Sequence, residues 1–357
     1  MGDFLLNEYW KVQNKPRLTL RKLAQALVSN QKLTYVVFGA ALILLQLSGV
    51  LGISRYRAIG VTLIYSMAAL GFCMLLGYSG LASLGTAGFM GLGSYVTYLI
   101  LHTWQLPFFV AVIAVIAAAL LLGVVVGFIS LRIQGIFLAI ITLGLSQILV
   151  SVFIAADGWT NGTAGASMTK YPKLLTIQLT REGTFILVVA ITVLLMIIMH
   201  NLMKSPTGRA MLAMKNSTAA AQAFGISLLK YRLFAFVLST VYAALAGMLY
   251  MCYMRFSNPN TWSLALSLSI LGAIIIGSTR SIWGAVAGVF LIFGLDQMVL
   301  QNIEFFRTNP NLIMLFTGTV IILIVMFFPG GVPQAVSELV KGIKKQYGKW
   351  KVRKYGG

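Results

Sequence analysis

The sequence predicts an all-α, polytopic bundle of about ten transmembrane helices with both termini in the cytoplasm. Three observations predict it. Of the 357 residues, 59% are hydrophobic and 10% charged, whereas soluble domains carry about 45–50% and about 25%; so few charges cannot cover a soluble surface. Ten apolar runs approach the roughly 20 residues that a helix needs to cross a bilayer. The 27 Lys and Arg fall unevenly on alternate loops.

Residues 1–32 are polar and basic and lack a cleavage-like site, which predicts a cytoplasmic arm rather than a signal peptide. The apolar runs are 33–51, 59–77, 84–101, 108–130, 135–156, 184–203, 232–252, 263–279, 282–302 and 311–328. Each is expected to be helical, because lipid satisfies no backbone group. Gly85, Gly88, Gly91 and Gly93 interrupt the third run. Only a few residues separate the eighth from the ninth, so their division is open. A membrane domain over 33–333 and a basic cytoplasmic tail over 334–357 follow.

Charge tests the count. With the N-terminus inside, twenty of the Lys and Arg lie in cytoplasmic segments. The remaining seven, Arg55, Arg57, Lys170, Lys173, Arg181, Arg255 and Arg307, lie outside. This asymmetry obeys the positive-inside rule, and an even number of spans is its simplest solution. The net charge of +20 is therefore read as topogenic. It predicts contact with anionic lipid and no nucleic-acid partner.

The scarce reactive residues exclude several functions. Cys73 and Cys252 both lie in apolar runs, against a disulfide framework. His102 and His200 are too few for a histidine-rich metal centre, and no metal site is expected. The seven acids are scattered, and Asp296 alone lies well inside a span, where it reads as a helix-end residue. A proton- or sodium-driven carrier normally places acids or coordinating polar clusters at bilayer depth. Their scarcity disfavours a stand-alone secondary carrier, and a membrane-embedded enzyme lacks a catalytic cluster. No GxxxxGK[ST] loop is present, so any ATP is bound by another chain.

Residues 77–95 mix glycines, hydroxyls and aromatics. They suit a tight helix crossing, or a broken helix whose freed backbone holds a polar solute. Ser79, Ser83, Thr86, Gly88, Gly91 and Ser94 are the candidate pathway residues. The pairs Gly123 and Gly127, and Gly284 and Gly288, are read as packing. The outer stretch 157–181 contains Asn161-Gly162-Thr163, a chance-prone sequon match. The cytoplasmic stretch 204–232 opens with Ser205-Pro206-Thr207-Gly208-Arg209 and becomes alanine-rich. A helix is expected from about Ala210, ended by Gly225, as either a docking surface or a plain linker.

Four stretches together resemble the permease subunits of bacterial ATP-binding-cassette importers for branched-chain amino acids, of the LivM type. They are 77–95; 131–144, opening Leu131-Arg132-Ile133-Gln134-Gly135; 205–231; and Phe327-Phe328-Pro329-Gly330-Gly331-Val332. The resemblance covers about 33–333. It implies a transport subunit without catalysis of its own, in the bacterial inner membrane. It also implies a second homologous permease, two cytoplasmic ATPase subunits that bind the ATP, and an extracytoplasmic solute-binding protein. Within 204–231 it makes Lys215, Ala220, Ala221, Gln222, Ala223 and Gly225 the ATPase-coupling segment. The implied solute is a branched-chain amino acid, with another amino acid, urea or an amide as alternatives. The sequence departs from the family where acids are usual, at Asn216, Thr218 and Gln222. It departs also at Thr86 and Gln147, in the turn Gly277-Ser278-Thr279-Arg280-Ser281, and in Thr160-Asn161-Gly162-Thr163-Ala164-Gly165. These departures bear on the solute and on the partner surface.

Overall fold

A backbone in lipid must hydrogen-bond to itself, so the apolar runs close into helices. The computed structural model describes residues 31–49, 52–130, 136–174, 177–298 and 303–308, with isolated positions between 312 and 334. Nearly all of the basic arm, the tail and the 131–134 stretch lie outside the described residues, as do most of the tenth apolar run and of 327–332.

In chain order the helices are α1 (Gln31–Leu47), α2 (Ile53–Phe72, prolonged by a π-helical stretch, Cys73–Tyr78), α3 (Thr86–Tyr98, prolonged likewise by Leu99–Thr103), α4 (Phe108–Ser130) and α5 (Ile136–Ala155). There follow α6 (Arg181–Lys204), α7 (Pro206–Asn216), α8 (Thr218–Ala223), α9 (Leu228–Met254), α10 (Leu264–Gly277), α11 (Ile282–Val289, continuing through a π-helical stretch, Phe290–Gly294, into an α-helical turn, Leu295–Met298) and α12 (Glu304–Thr308). Among the described residues five helices are long and apolar enough to cross a bilayer, and three apolar helices are shorter. The fold is predominantly helical rather than all-α. Strands Ala166–Ser167 and Phe256–Ser257 pair antiparallel, as do Lys173–Leu174 and Ile177–Gln178.

Alternate loops gather at opposite ends of the bundle. At one end Tyr56 donates to the Arg181 carbonyl at 2.8 Å, and Tyr253 to the Tyr56 carbonyl at 3.1 Å. There too the Arg255 guanidinium lies 4.3 Å from the Tyr171 ring centre. At the other end the Lys215 ammonium donates to the Leu76 and Gly77 carbonyls. The fold thus separates the same two groups of loops that the basic residues separate.

The centre is α9, against which α2, α3 and α4 pack. The α3–α9 crossing requires glycine on both sides. A Cβ on Gly93 would strike the Ala244 carbonyl, and one on Gly247 the Met90 carbonyl. Gly123 faces Thr240 and Gly127 faces Leu233, while Gly284 and Gly288 meet Gly277 and Ala273 across the α10–α11 turn. Both glycine pairs are therefore packing contacts, and the eighth and ninth runs divide at residues 278–281.

Candidate functional site

The chain breaks between α2 and α3. Gly80 turns it at φ +73°, and residues 81–85 run non-helically, buried or half-buried, to the start of α3. Such a segment frees amide groups that apolar surroundings would leave unsatisfied. Three hydroxyls take them. Leu84 N–H donates to Thr142 Oγ1 of α5 at 2.9 Å, Gly85 N–H to Ser83 Oγ at 3.3 Å, and Ala87 N–H to Ser267 Oγ of α10 at 3.0 Å. The interruption therefore lies at 79–85, overlapping only the first two residues of the third apolar run, and α3 itself continues unbroken to Thr103.

Beside the break lies a narrow slit between α3 and α9. Ser83 and Thr86 face Ser239 and Thr240, with Phe89 and Phe236 among the closing walls. Its volume of about 10 Å³ holds roughly one water molecule. Among the described residues no charged side chain lines it. Thr240 already donates to the Val237 carbonyl at 2.7 Å, whereas the buried hydroxyls of Ser79 and Ser94 have no partner among the described residues.

The six residues singled out by sequence thus separate. Ser83 and Thr86 reach the slit, and Ser79 ends the π-helical stretch of α2. Gly88 instead packs on Ser146 of α5, and Gly91 between the rings of Phe153 and Trp262. Ser239, Thr240, Thr142 and Ser267 complete the arrangement, and sequence reasoning missed them. Each is a hydroxyl in a largely apolar helix that carries others, and only the tertiary contact marks it.

The basic connection 205–231 folds into two short helices rather than one from Ala210. Ser205 accepts from Gly208 N–H at 3.2 Å, and Pro206 sits at the first turn of α7, so that helix starts earlier. Ser217 is extended and accepts from Ala220 N–H at 3.2 Å, which ends α7 and caps α8. A serine hydroxyl favours such a cap over a helix interior. Gly225, at φ +77°, stops α8 as expected. Its N–H donates to Gln222 O and that of Ile226 to Ala221 O, both at 2.9 Å, the Schellman arrangement.

Burial sorts the six coupling candidates. Ala221 is 2% exposed within the chain's own packing, so it offers nothing to a partner. Ala220, Gln222, Ala223 and Gly225 are exposed. Phe224, not singled out from sequence, is 85% exposed. Lys215 points inward. Its Nζ lies 3.0 Å from Leu76 O and 2.8 Å from Gly77 O, and its stem covers Gly80. It therefore caps the C-terminal carbonyls of α2, where a cation is favoured. Burial and the nearby Arg280 pull its pKa below the ordinary lysine value, opposed by Cys73. The Cys73 thiol, buried, donates to the Thr279 carbonyl at 3.0 Å. Lys215, the α2 end and the 278–281 turn thus form one joint.

Residues 55–325 match the family model described as branched-chain amino acid transport system / permease component. The chain is 26% identical over 295 residues to the high-affinity branched-chain amino acid transport system permease protein LivM of Salmonella typhimurium, covering 76% of this chain and 68% of the relative. The LivM protein of Escherichia coli gives the same figures. The autoinducer 2 import system permease protein LsrC of Yersinia pestis is 30% identical over 194 residues, covering 51% of this chain and 53% of that one. The chain belongs to the branched-chain amino acid transport system permease family and is a multi-pass membrane transport protein.

Proposed function

We propose that this permease forms, with a second homologous permease, the pathway of an ATP-driven importer in the bacterial inner membrane. Two cytoplasmic ATPase subunits and an extracytoplasmic solute-binding protein complete the assembly. Both termini lie in the cytoplasm, and the membrane domain has about ten spans. Branched-chain amino acids are the solute, a reading supported by the names of the LivM relatives. The chain binds no cofactor of its own, and the ATP belongs to the partners.

The Lys215 joint carries the mechanism. The exposed face of α8, with Ala220, Gln222, Ala223 and Phe224, receives the ATPase. Movement of that face shifts α7, and Lys215 passes the shift to the last carbonyls of α2. The broken segment begins two residues beyond Gly77, and Ser83 on it forms one wall of the slit. Drawing Ser83 and Thr86 away from Ser239 and Thr240 opens a path lined by hydroxyls and no charge. Such a lining suits a small solute of zero net charge.

The name of the LsrC relatives supports a second reading, autoinducer 2 as the solute. Competition of labelled leucine uptake by other amino acids, urea and autoinducer 2 separates the two.

The deciding experiment reconstitutes the whole assembly in proteoliposomes. Leucine is expected to accumulate only with ATP on the ATPase side, and the chain alone to accumulate nothing under a proton or sodium gradient. Gradient-driven uptake by the isolated chain overturns the reading. Phe224→Ala tests the docking face: ATPase co-purification and uptake are expected to fall while the permease still inserts. If both survive, 204–231 is a linker.

A further inference from the structure

A second cavity, of about 210 Å³, opens at the end of the bundle that carries Lys215. It lies between the first turns of α1, the end of α2, the last turn of α6 and the start of α11. Tyr35, Tyr78, His200, Lys204, Arg280 and Trp283 are among its walls. Tyr35 and His200 are 2% and 6% exposed, and the Tyr35 hydroxyl meets His200 Nδ1 at 3.4 Å. The Tyr35 and Trp283 ring centres are 5.4 Å apart, and Phe38 meets Trp283 edge-on at 5.1 Å. Lys32 lies three residues before Tyr35 and so on the same side of α1.

The charges around this cavity have one sign. Lys204 and Arg280 are exposed at its mouth. None of the described acids, Asp157, Glu182, Asp296 and Glu304, lines it. The positive end of the α11 backbone adds to the same field. The sequence before Gln31 carries Lys11, Lys15, Arg17, Arg21 and Lys22 against Asp3 and Glu8, so it does not supply the missing anion. From the cavity, α1 leads into the membrane domain with Leu33, Val36, Val37 and Leu44 exposed.

We propose that this cavity binds the phosphate headgroup of an anionic membrane phospholipid, whose acyl chains lie along the exposed apolar face of α1. Basic pockets between helices at the cytoplasmic surface suit such headgroups. Aromatic rings beside them match the water–lipid boundary. The apolar stripe leading from the cavity favours a lipid over free phosphate, which would use the cations alone.

The test uses the full-length permease in neutral detergent with mixed micelles of phosphatidylcholine and phosphatidylglycerol. Native mass spectrometry counts the lipids retained. One phosphatidylglycerol per chain is expected to be retained in preference to phosphatidylcholine, and inorganic phosphate in large excess does not displace it. Removing one cation costs about fivefold in affinity, so Lys204→Gln with Arg280→Gln costs about 30-fold. Equal retention of the two lipids by the wild type overturns the proposal, as does undiminished retention by the folded double variant. Displacement by inorganic phosphate overturns it in favour of a soluble anion. The wild-type comparison decides alone if the double variant does not fold, which gel filtration in phosphatidylcholine reports.

Discussion

The centre and the rim of this bundle invert the rule for soluble proteins. In α2 and α9, 89% and 83% of the apolar window is buried, and the mean hydropathy is 2.1 and 1.9. In α4 and α5 only 28% and 33% is buried, yet the mean hydropathy is 3.2 and 2.4. The apolar medium lies outside, so the rim must match it on every face. The centre is relieved of that demand and collects small and hydroxylated residues. Their hydroxyls are satisfied internally. Thr62 donates to Ala58 O at 2.8 Å, and Tyr242 to Leu195 O at 3.0 Å. Association of helices in lipid rests on close packing and such bonds. Stability should therefore reside where hydropathy is lowest.

The largest expected effect is at the central crossing. Gly247→Val places a branched Cβ against the Met90 carbonyl, which is backbone and cannot yield. Overpacking costs about 1–3 kcal/mol and occasionally more, and this site belongs at or above the upper end. Thermal unfolding in detergent should show a large loss or no folded protein. A wild-type melting curve would break the contrast between centre and rim.

Next comes the Lys215 joint. Lys215→Met keeps most of the stem over Gly80 and removes the ammonium from Leu76 O and Gly77 O. Hydrogen bonds to charged groups contribute about 1.5–3 kcal/mol. The variant is expected to fold with a lowered melting temperature, to keep its ATPase, and to lose most ATP-driven uptake. Lys215→Arg should restore part of that uptake. Retained coupling in Lys215→Met would show that motion reaches the slit by another route.

A smaller effect is expected where one hydroxyl holds the broken segment. Thr142→Val is nearly isosteric and leaves Leu84 N–H without its 2.9 Å acceptor. Polar contacts between membrane helices average about 0.6 kcal/mol and reach about 1.7. Faster amide exchange at Leu84 should accompany a loss in that range. Unchanged exchange would mean that the break does not need this hydroxyl.

These sites also show what was legible in the sequence. The run 108–130 coincides with α4, and 135–156 brackets Ile136–Ala155 within a residue. Apolar length suffices there because lipid leaves the backbone no alternative to a helix. The position of the break was half legible: glycines marked the region, but where the helix resumes depends on hydroxyls of α5 and α10 that accept from Leu84 and Ala87 N–H. The direction of Lys215 was not legible, because a basic residue in a basic loop reads as solvated until the α2 carbonyls are seen beside it. The burial of Ala221 was not legible either, since one alanine in a run of three carries no sign of which face is covered. Polar residues in membrane proteins take their meaning from partners distant in sequence, whereas apolar runs take theirs from the solvent.

The smallest effect is expected on the rim and is the most discriminating. Gly144 lies on α5, and a Cβ there meets nothing within 4 Å. Around it Ile140 is 56% exposed and Ile148 60%, and Gln147 is exposed on the same helix. In the isolated chain Gly144→Leu should shift stability by no more than about 0.5 kcal/mol, as substitutions away from packed features usually do. An exposed glutamine within an apolar span nevertheless asks for a polar partner. The proposed second permease can supply one, and a glycine beside it permits close approach. On that account Gly144→Leu leaves the melting curve of the single chain unchanged and lowers the recovery of the permease pair in pull-down. An unchanged pair makes this face of α5 a lipid surface. A destabilised single chain would remove the contrast between an open rim and a closed centre.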